Sequence, residues 1–157
     1  MLKINRKLSV YISIVLTAVM FAGLIVLAVF MPFILEYLLK IPGLFGDVAV
    51  LSQYKRVIFY TAAYAELAIM MAGLGLLFAL LMLVQRRKVF TAAAVELIRY
   101  ISWCLIFMGI IMIALTSFSV IALIIGAAVL FLGLTVRVVK NVIEEAVYLK
   151  EENDLTV

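Results

Sequence analysis

The sequence predicts an all-α integral membrane protein, a bundle of four transmembrane helices followed by a C-terminal cytoplasmic amphipathic helix. Of its 157 residues, 69% are hydrophobic and only 14% are charged, and the mean hydropathy of +1.33 is far above that of a soluble globular domain. The apolar residues form runs that reach the roughly 20 residues needed to cross a bilayer. With two prolines and eight glycines, the chain has no Pro/Gly-rich linker, so we expect one membrane domain over 1–157.

The first two spans are predicted from long apolar runs that adjoin basic residues. Span one lies at about 9–33, because the run is much longer than the core of a signal peptide, and Pro32 is placed to kink or end its helix. Span two lies at about 57–84 and stops before Arg86-Arg87-Lys88, which cannot remain in hydrocarbon. We expect Glu36 to Arg56, between these spans, to form an outer loop.

The last two spans are predicted from a single apolar stretch that Thr116-Ser117-Phe118-Ser119 divides. Aromatic side chains favour the membrane interface, so Tyr100 to Trp103 marks the entry of span three. We place span three at about 101–117 and span four at about 119–136, both near the short limit for crossing a bilayer. Thr91 to Arg99 is then expected to form a juxtamembrane helix.

The chain continues after span four without a helix breaker, over about 137–152. Arg137 begins this segment, whose apolar stripe includes Val142 and Leu149, while most of its charged residues lie off the stripe. We predict an amphipathic cytoplasmic helix. Packing on the bundle or the membrane surface is one interpretation, and docking of a partner protein is the other.

The distribution of Lys and Arg near the span ends predicts the orientation. With the N-terminus inside, nine of them are cytoplasmic and three are external, which favours this topology over its inverse. The nine are Lys3, Arg6, Lys7, Arg86, Arg87, Lys88, Arg137, Lys140 and Lys150, and the three are Lys40, Lys55 and Arg56. We therefore expect a multi-pass protein of the cytoplasmic membrane with both termini in the cytoplasm and 43–47 outside.

Glu66 is the sharpest anomaly, because a carboxylate within a span is costly and often marks an ion or substrate path. It lies ten residues after Arg56, about 15 Å along an ideal helix. The favoured interpretation is an interfacial or neutral, hydrogen-bonded residue. A role in transport or sensing is the alternative.

Two further patterns predict helix contacts. On the second span, small residues recur in steps of three and four, a spacing that favours close approach of another helix. This small-residue seam comprises Ala65, Ala68, Ala72, Gly75 and Ala79. Glu96 and Arg99 are three residues apart and would face the same way on a helix, so we expect a local ion pair between them.

The residue types argue against catalysis and against cofactors. There is no histidine, and Cys104 is the single cysteine, so His-dependent triads, the usual zinc ligand sets and an internal disulfide are all absent. No Gly-rich phosphate loop is found. The basic residues adjoin apolar runs, where topology and membrane lipids explain them better than direct nucleic-acid binding does.

Two segments of the sequence carry a resemblance to a known family. The first runs from Val89-Phe90-Thr91 to Ile101-Ser102-Trp103, and the second is the ending Lys150-Glu151-Glu152-Asn153-Asp154-Leu155-Thr156-Val157. They resemble the bacterial membrane proteins grouped as the domain of unknown function 2975 family, and the similarity covers nearly the whole chain. The sequence departs from that pattern at Ala94, where a polar residue, often Asn, is expected.

The resemblance implies no biochemical activity and carries over no catalytic or ligand residues. Members of the family are often encoded beside a small Cro-like helix-turn-helix regulator, which implies a membrane partner that holds or controls a transcription factor. Our leading hypothesis is therefore a regulatory or interaction protein that binds such a partner through Arg86 to Arg99 and Arg137 to Val157. The alternatives are a small proton-coupled transporter or efflux subunit that uses Glu66, as a homo-oligomer, and a protective or immunity protein.

Overall fold

The computed structural model describes residues 6–41, 53–86, 90–117 and 119–155. Over these ranges the chain forms four long helices, α1 (Arg6–Leu39), α2 (Gln53–Gln85), α3 (Ala92–Ala114) and α4 (Val120–Leu155). A short 3-10 turn, Leu115–Ser117, joins α3 to α4. All four helices are long and apolar enough to cross a membrane, which confirms the all-α class and suggests a multi-pass membrane protein.

The helices pack in chain order. α1 contacts α2, α2 contacts α3, and α3 contacts α4 along the most extensive of these interfaces. A buried apolar cluster of Leu35, Phe59 and Leu115 joins α1, α2 and the 3-10 turn at one end of the bundle. Most other apolar side chains are exposed at the protein surface, as expected for helices whose solvent is lipid.

α1 and α2 extend into the stretch predicted to be an outer loop. α1 continues through Pro32 to Leu39, and α2 begins at Gln53, so the loop predicted over 36–56 is wrong at both ends. An interior proline costs about 3 kcal/mol in a helix, but Leu35 is buried three residues beyond it, and that packing favours continuation of the helix. The predicted external segment 43–47 lies outside the described residues.

The expected juxtamembrane helix forms the first part of α3. Thr91 is the N-cap of α3, and its side chain accepts a hydrogen bond from the backbone N–H of Ala94 at 3.4 Å, as a capping threonine does. The helix then runs unbroken to Ala114, three residues before the predicted end of span three, 101–117. Ala94, the position of the family departure, is fully buried.

Close contact between helices occurs at glycines of α3 and α4, and not at the predicted small-residue seam. A Cβ added at Gly109 would lie 2.8 Å from the backbone nitrogen of Leu130, and one at Gly126 would lie 2.9 Å from that of Ile113. On the seam, a Cβ at Gly75 would meet no atom within 4 Å. Ala68, Ala72 and Gly75 are exposed, so the packing role predicted for them within this chain is wrong.

Candidate functional site

A cavity of about 340 Å³ lies beside the buried cluster of Leu35, Phe59 and Leu115. Residues of all four helices and of the 3-10 turn line it, and it is partly open. Among its described lining residues, Glu66 and Ser119 are the two polar ones. It is therefore an apolar pocket with few polar groups, the usual character of a small-molecule site.

Glu66 reaches the cavity because of its position on α2. Phe59, Ala63, Leu67 and Met70 also line the cavity, and their spacing of three and four residues places them on one helix face with Glu66. At Phe59, Glu66 and Leu67 this face packs toward the interior of the bundle, so Glu66 is only 5% exposed. The carboxylate is thus held among apolar side chains by the periodicity of its own helix.

Neither oxygen of the Glu66 carboxylate has a hydrogen-bond partner among the described residues. The favoured sequence interpretation included a hydrogen bond to this group, and no described residue supplies one. Leaving a buried polar group unpaired costs about 1–3 kcal/mol, and more for a charged group. The arrangement therefore leaves an unsatisfied acid aimed into an open apolar space.

A cluster of charged side chains joins α3 to α4 in the segment that follows the apolar part of α4. Arg99 donates a hydrogen bond from its Nη2 to Oε1 of Glu144 at 3.2 Å. Lys140 lies 2.6 Å from the other carboxylate oxygen of Glu144. The predicted pair of Glu96 with Arg99 is not formed, and Glu96 is exposed. Arg99 instead contacts Glu144, because α3 and α4 pack against each other.

Arg137 and Trp103 form a second contact between α3 and α4. The guanidinium carbon of Arg137 lies 4.7 Å from the centroid of the Trp103 ring, a distance at which the ring face attracts a cation. Trp103 also stacks on Phe107, with ring centroids 5.7 Å apart. Arg137 thus contacts a neighbouring helix.

The remaining predicted residues, Val142 and Leu149, lie on the exposed side of α4. Val142 is 65% exposed and Leu149 is 52% exposed, whereas Val147 is buried. Lys140 lies off this stripe and is partly buried. The apolar stripe therefore does not pack on this bundle at Val142 or Leu149.

Sequence reasoning missed two features of these sites. Ser119 and the residues of α1 and α4 that line the cavity gave no local signal, because they meet Glu66 only through tertiary packing. The contact of Trp103 with Arg137 was also missed, although the aromatic interface marker could have indicated it. No group of His, Cys, Asp or Glu suited to a metal ion occurs in the described part of the chain.

One family model matches the chain, over residues 47–157, and its description is "Protein of unknown function (DUF2975)". The match covers α2, α3 and α4, and thus both Glu66 and the charged cluster around Glu144. No curated protein and no solved structure matches the chain.

Proposed function

We propose that this chain, which belongs to the DUF2975 family of unknown activity, is a non-enzymatic regulatory protein of the cytoplasmic membrane. In this proposal it binds a cytoplasmic partner. A helix-turn-helix regulator is the partner that the family resemblance suggests. Both termini are in the cytoplasm in this proposal, as the distribution of basic residues favours. The observation that carries it is the exposed apolar stripe at the end of α4.

α4 is suited to relaying a signal because it is continuous. It contains 36 residues, about 54 Å of helix. Ile121, Ala122 and Ile125 line the Glu66 cavity near its start, and the exposed stripe lies near its other end. A displacement of α4 at the cavity would therefore be transmitted along one rigid helix. The contact of Arg99 with Glu144 would transmit this displacement to α3 as well.

The stripe has the pattern of a helix that docks into a groove. Val142 and Leu149 are seven residues apart, or two helical turns, and their side chains are exposed on the same face. Apolar side chains at this spacing, in a segment that also bears Lys140, Glu144 and Glu145, fit an amphipathic recognition surface. A regulator held there would be sequestered at the membrane.

The experiment is affinity capture from mildly solubilised membranes of cells that also express the candidate helix-turn-helix regulator. Replacing both Val142 and Leu149 by Glu should abolish capture, because two charges would enter an apolar contact, while membrane insertion persists. The matched control is Tyr148→Glu, which introduces a charge at an exposed position off the stripe and should capture normally. Undiminished capture by the double variant would overturn the proposal, and its degradation in cells without the regulator would favour internal packing of the helix.

A second candidate function is proton-coupled transport through the Glu66 cavity. The buried, unpartnered carboxylate favours it, because such groups bind and release protons in transporters. Flux measured in proteoliposomes should then be lost in Glu66→Gln, which preserves size while removing the charge. Flux that is unchanged in this variant would eliminate the candidate.

A further inference from the structure

The unpartnered acid in the cavity indicates which ligand chemistry would fit this site. Both oxygens of Glu66 lack partners among the described residues, and the residue is only 5% exposed. An ionised carboxylate there needs a cation, and a neutral carboxylic acid there needs an acceptor. Ser119, the other polar lining residue that the structure describes, carries no charge to neutralise it.

The other described residues that line the cavity favour an apolar ligand. Leu27 and Met31 of α1, Met70 of α2 and Met112 of α3 are among its walls. Methionine side chains are flexible and polarisable, so they adapt to ligands of irregular shape. A volume of about 340 Å³ lies at the lower end of the range of drug-sized binding sites.

We propose that this cavity binds a hydrophobic molecule that carries one protonated amine, with the ammonium paired to Glu66 and the apolar body between α1, α2 and α4. The ammonium supplies a positive charge that neutralises the carboxylate, and N–H donors for its two oxygens. Hydrogen bonds between an ammonium and a carboxylate are charge-assisted, so they are stronger than those between neutral groups. The inference goes beyond the proposed regulatory function and does not depend on it, since a sensed and a transported molecule would bind alike.

The test compares isosteres of different charge. The full-length protein is reconstituted in nanodiscs of zwitterionic lipid, so that cations do not accumulate on the bilayer, and titrated calorimetrically with 1-adamantanamine and with 1-adamantanol. The two molecules share one apolar cage and differ in charge. We expect the amine to bind about 10-fold to 100-fold more tightly, the range for a hydrogen bond to a charged group.

Two variants test whether the preference for the amine over the alcohol arises in this cavity. Glu66→Gln should bring the affinities for the amine and the alcohol to within about threefold of each other, because it removes the charge and retains the shape. Ala63→Leu keeps the carboxylate but fills space beside it, and should weaken binding of both molecules. Glu36→Gln is the matched control, since Glu36 is an exposed acid on α1, and it should bind as the wild type does.

Each outcome decides the proposal. Equal binding of the amine and the alcohol by the wild type overturns it, as does amine selectivity that survives in Glu66→Gln. If Glu66→Gln does not fold, Ala63→Leu still decides the matter, because unchanged amine binding in that variant would place the ligand outside the cavity. Loss of selectivity in Glu36→Gln would show instead that the amine binds at the protein surface.

Discussion

Replacing Gly109 by alanine is expected to force α3 and α4 apart. The added Cβ would lie 2.8 Å from the backbone nitrogen of Leu130 and 2.9 Å from its Cα. Backbone atoms in the middle of a long helix cannot rotate away as the end of a side chain can. To restore ordinary contact at 3.4 Å, the helices must separate locally by about 0.6 Å, and a gap of about 0.5–1 Å already forfeits a quarter to a half of each dispersion contact.

The magnitude follows from two opposing effects. Overpacking costs about 1–3 kcal/mol, while the higher helix propensity of alanine offsets about 0.8–1 kcal/mol of it. We expect a net loss of about 0–2 kcal/mol in the free energy of unfolding for Gly109→Ala. For Gly75→Ala the second effect acts alone, because a Cβ there meets nothing within 4 Å, so stability should be unchanged or higher by up to about 1 kcal/mol.

The assay is unfolding in a fixed lipid–detergent mixture by titration with a denaturing detergent, followed by circular dichroism. Gly126→Ala should behave as Gly109→Ala does, since its Cβ would lie 2.9 Å from the backbone nitrogen of Ile113. Gly75→Ala is the control. The reasoning is refuted if Gly75→Ala is the least stable of the three, or if all three unfold at the same denaturant concentration.

Two further results are expected. In a Cys104→Ala background, an impermeant thiol reagent applied to intact cells should label a cysteine introduced at Gly46 but not one introduced at Asp154. The reason is that basic residues near the span ends favour the cytoplasm. The reverse labelling would show that the topology is inverted. A double-mutant cycle on Arg99 and Glu144 should give a coupling energy below about 1 kcal/mol, since their side chains are 45% and 48% exposed. A coupling energy above about 2 kcal/mol would contradict this and indicate that the pair is shielded from water.

The sequence by itself determined the class of the protein and the existence of its long helices. Apolar runs of span length depend only on local composition, so four helices could be predicted without tertiary information. Helix ends were less predictable. α1 continues past Pro32 to Leu39, because packing of particular side chains, such as Leu35, outweighs the local helix-breaking signal.

Tertiary structure alone decided which residues meet. Small residues at helical spacing occur on both the seam around Gly75 and the α3–α4 interface at Gly109, and only the packing of the helices distinguishes an open surface from a close contact. Likewise, Arg99 had an acidic neighbour on its own helix, yet it pairs with Glu144, which is 45 residues away. The sequence identified Glu66 as costly to bury, but its open, apolar cavity is formed by elements distant in the chain, whose side chains become neighbours only when the helices assemble.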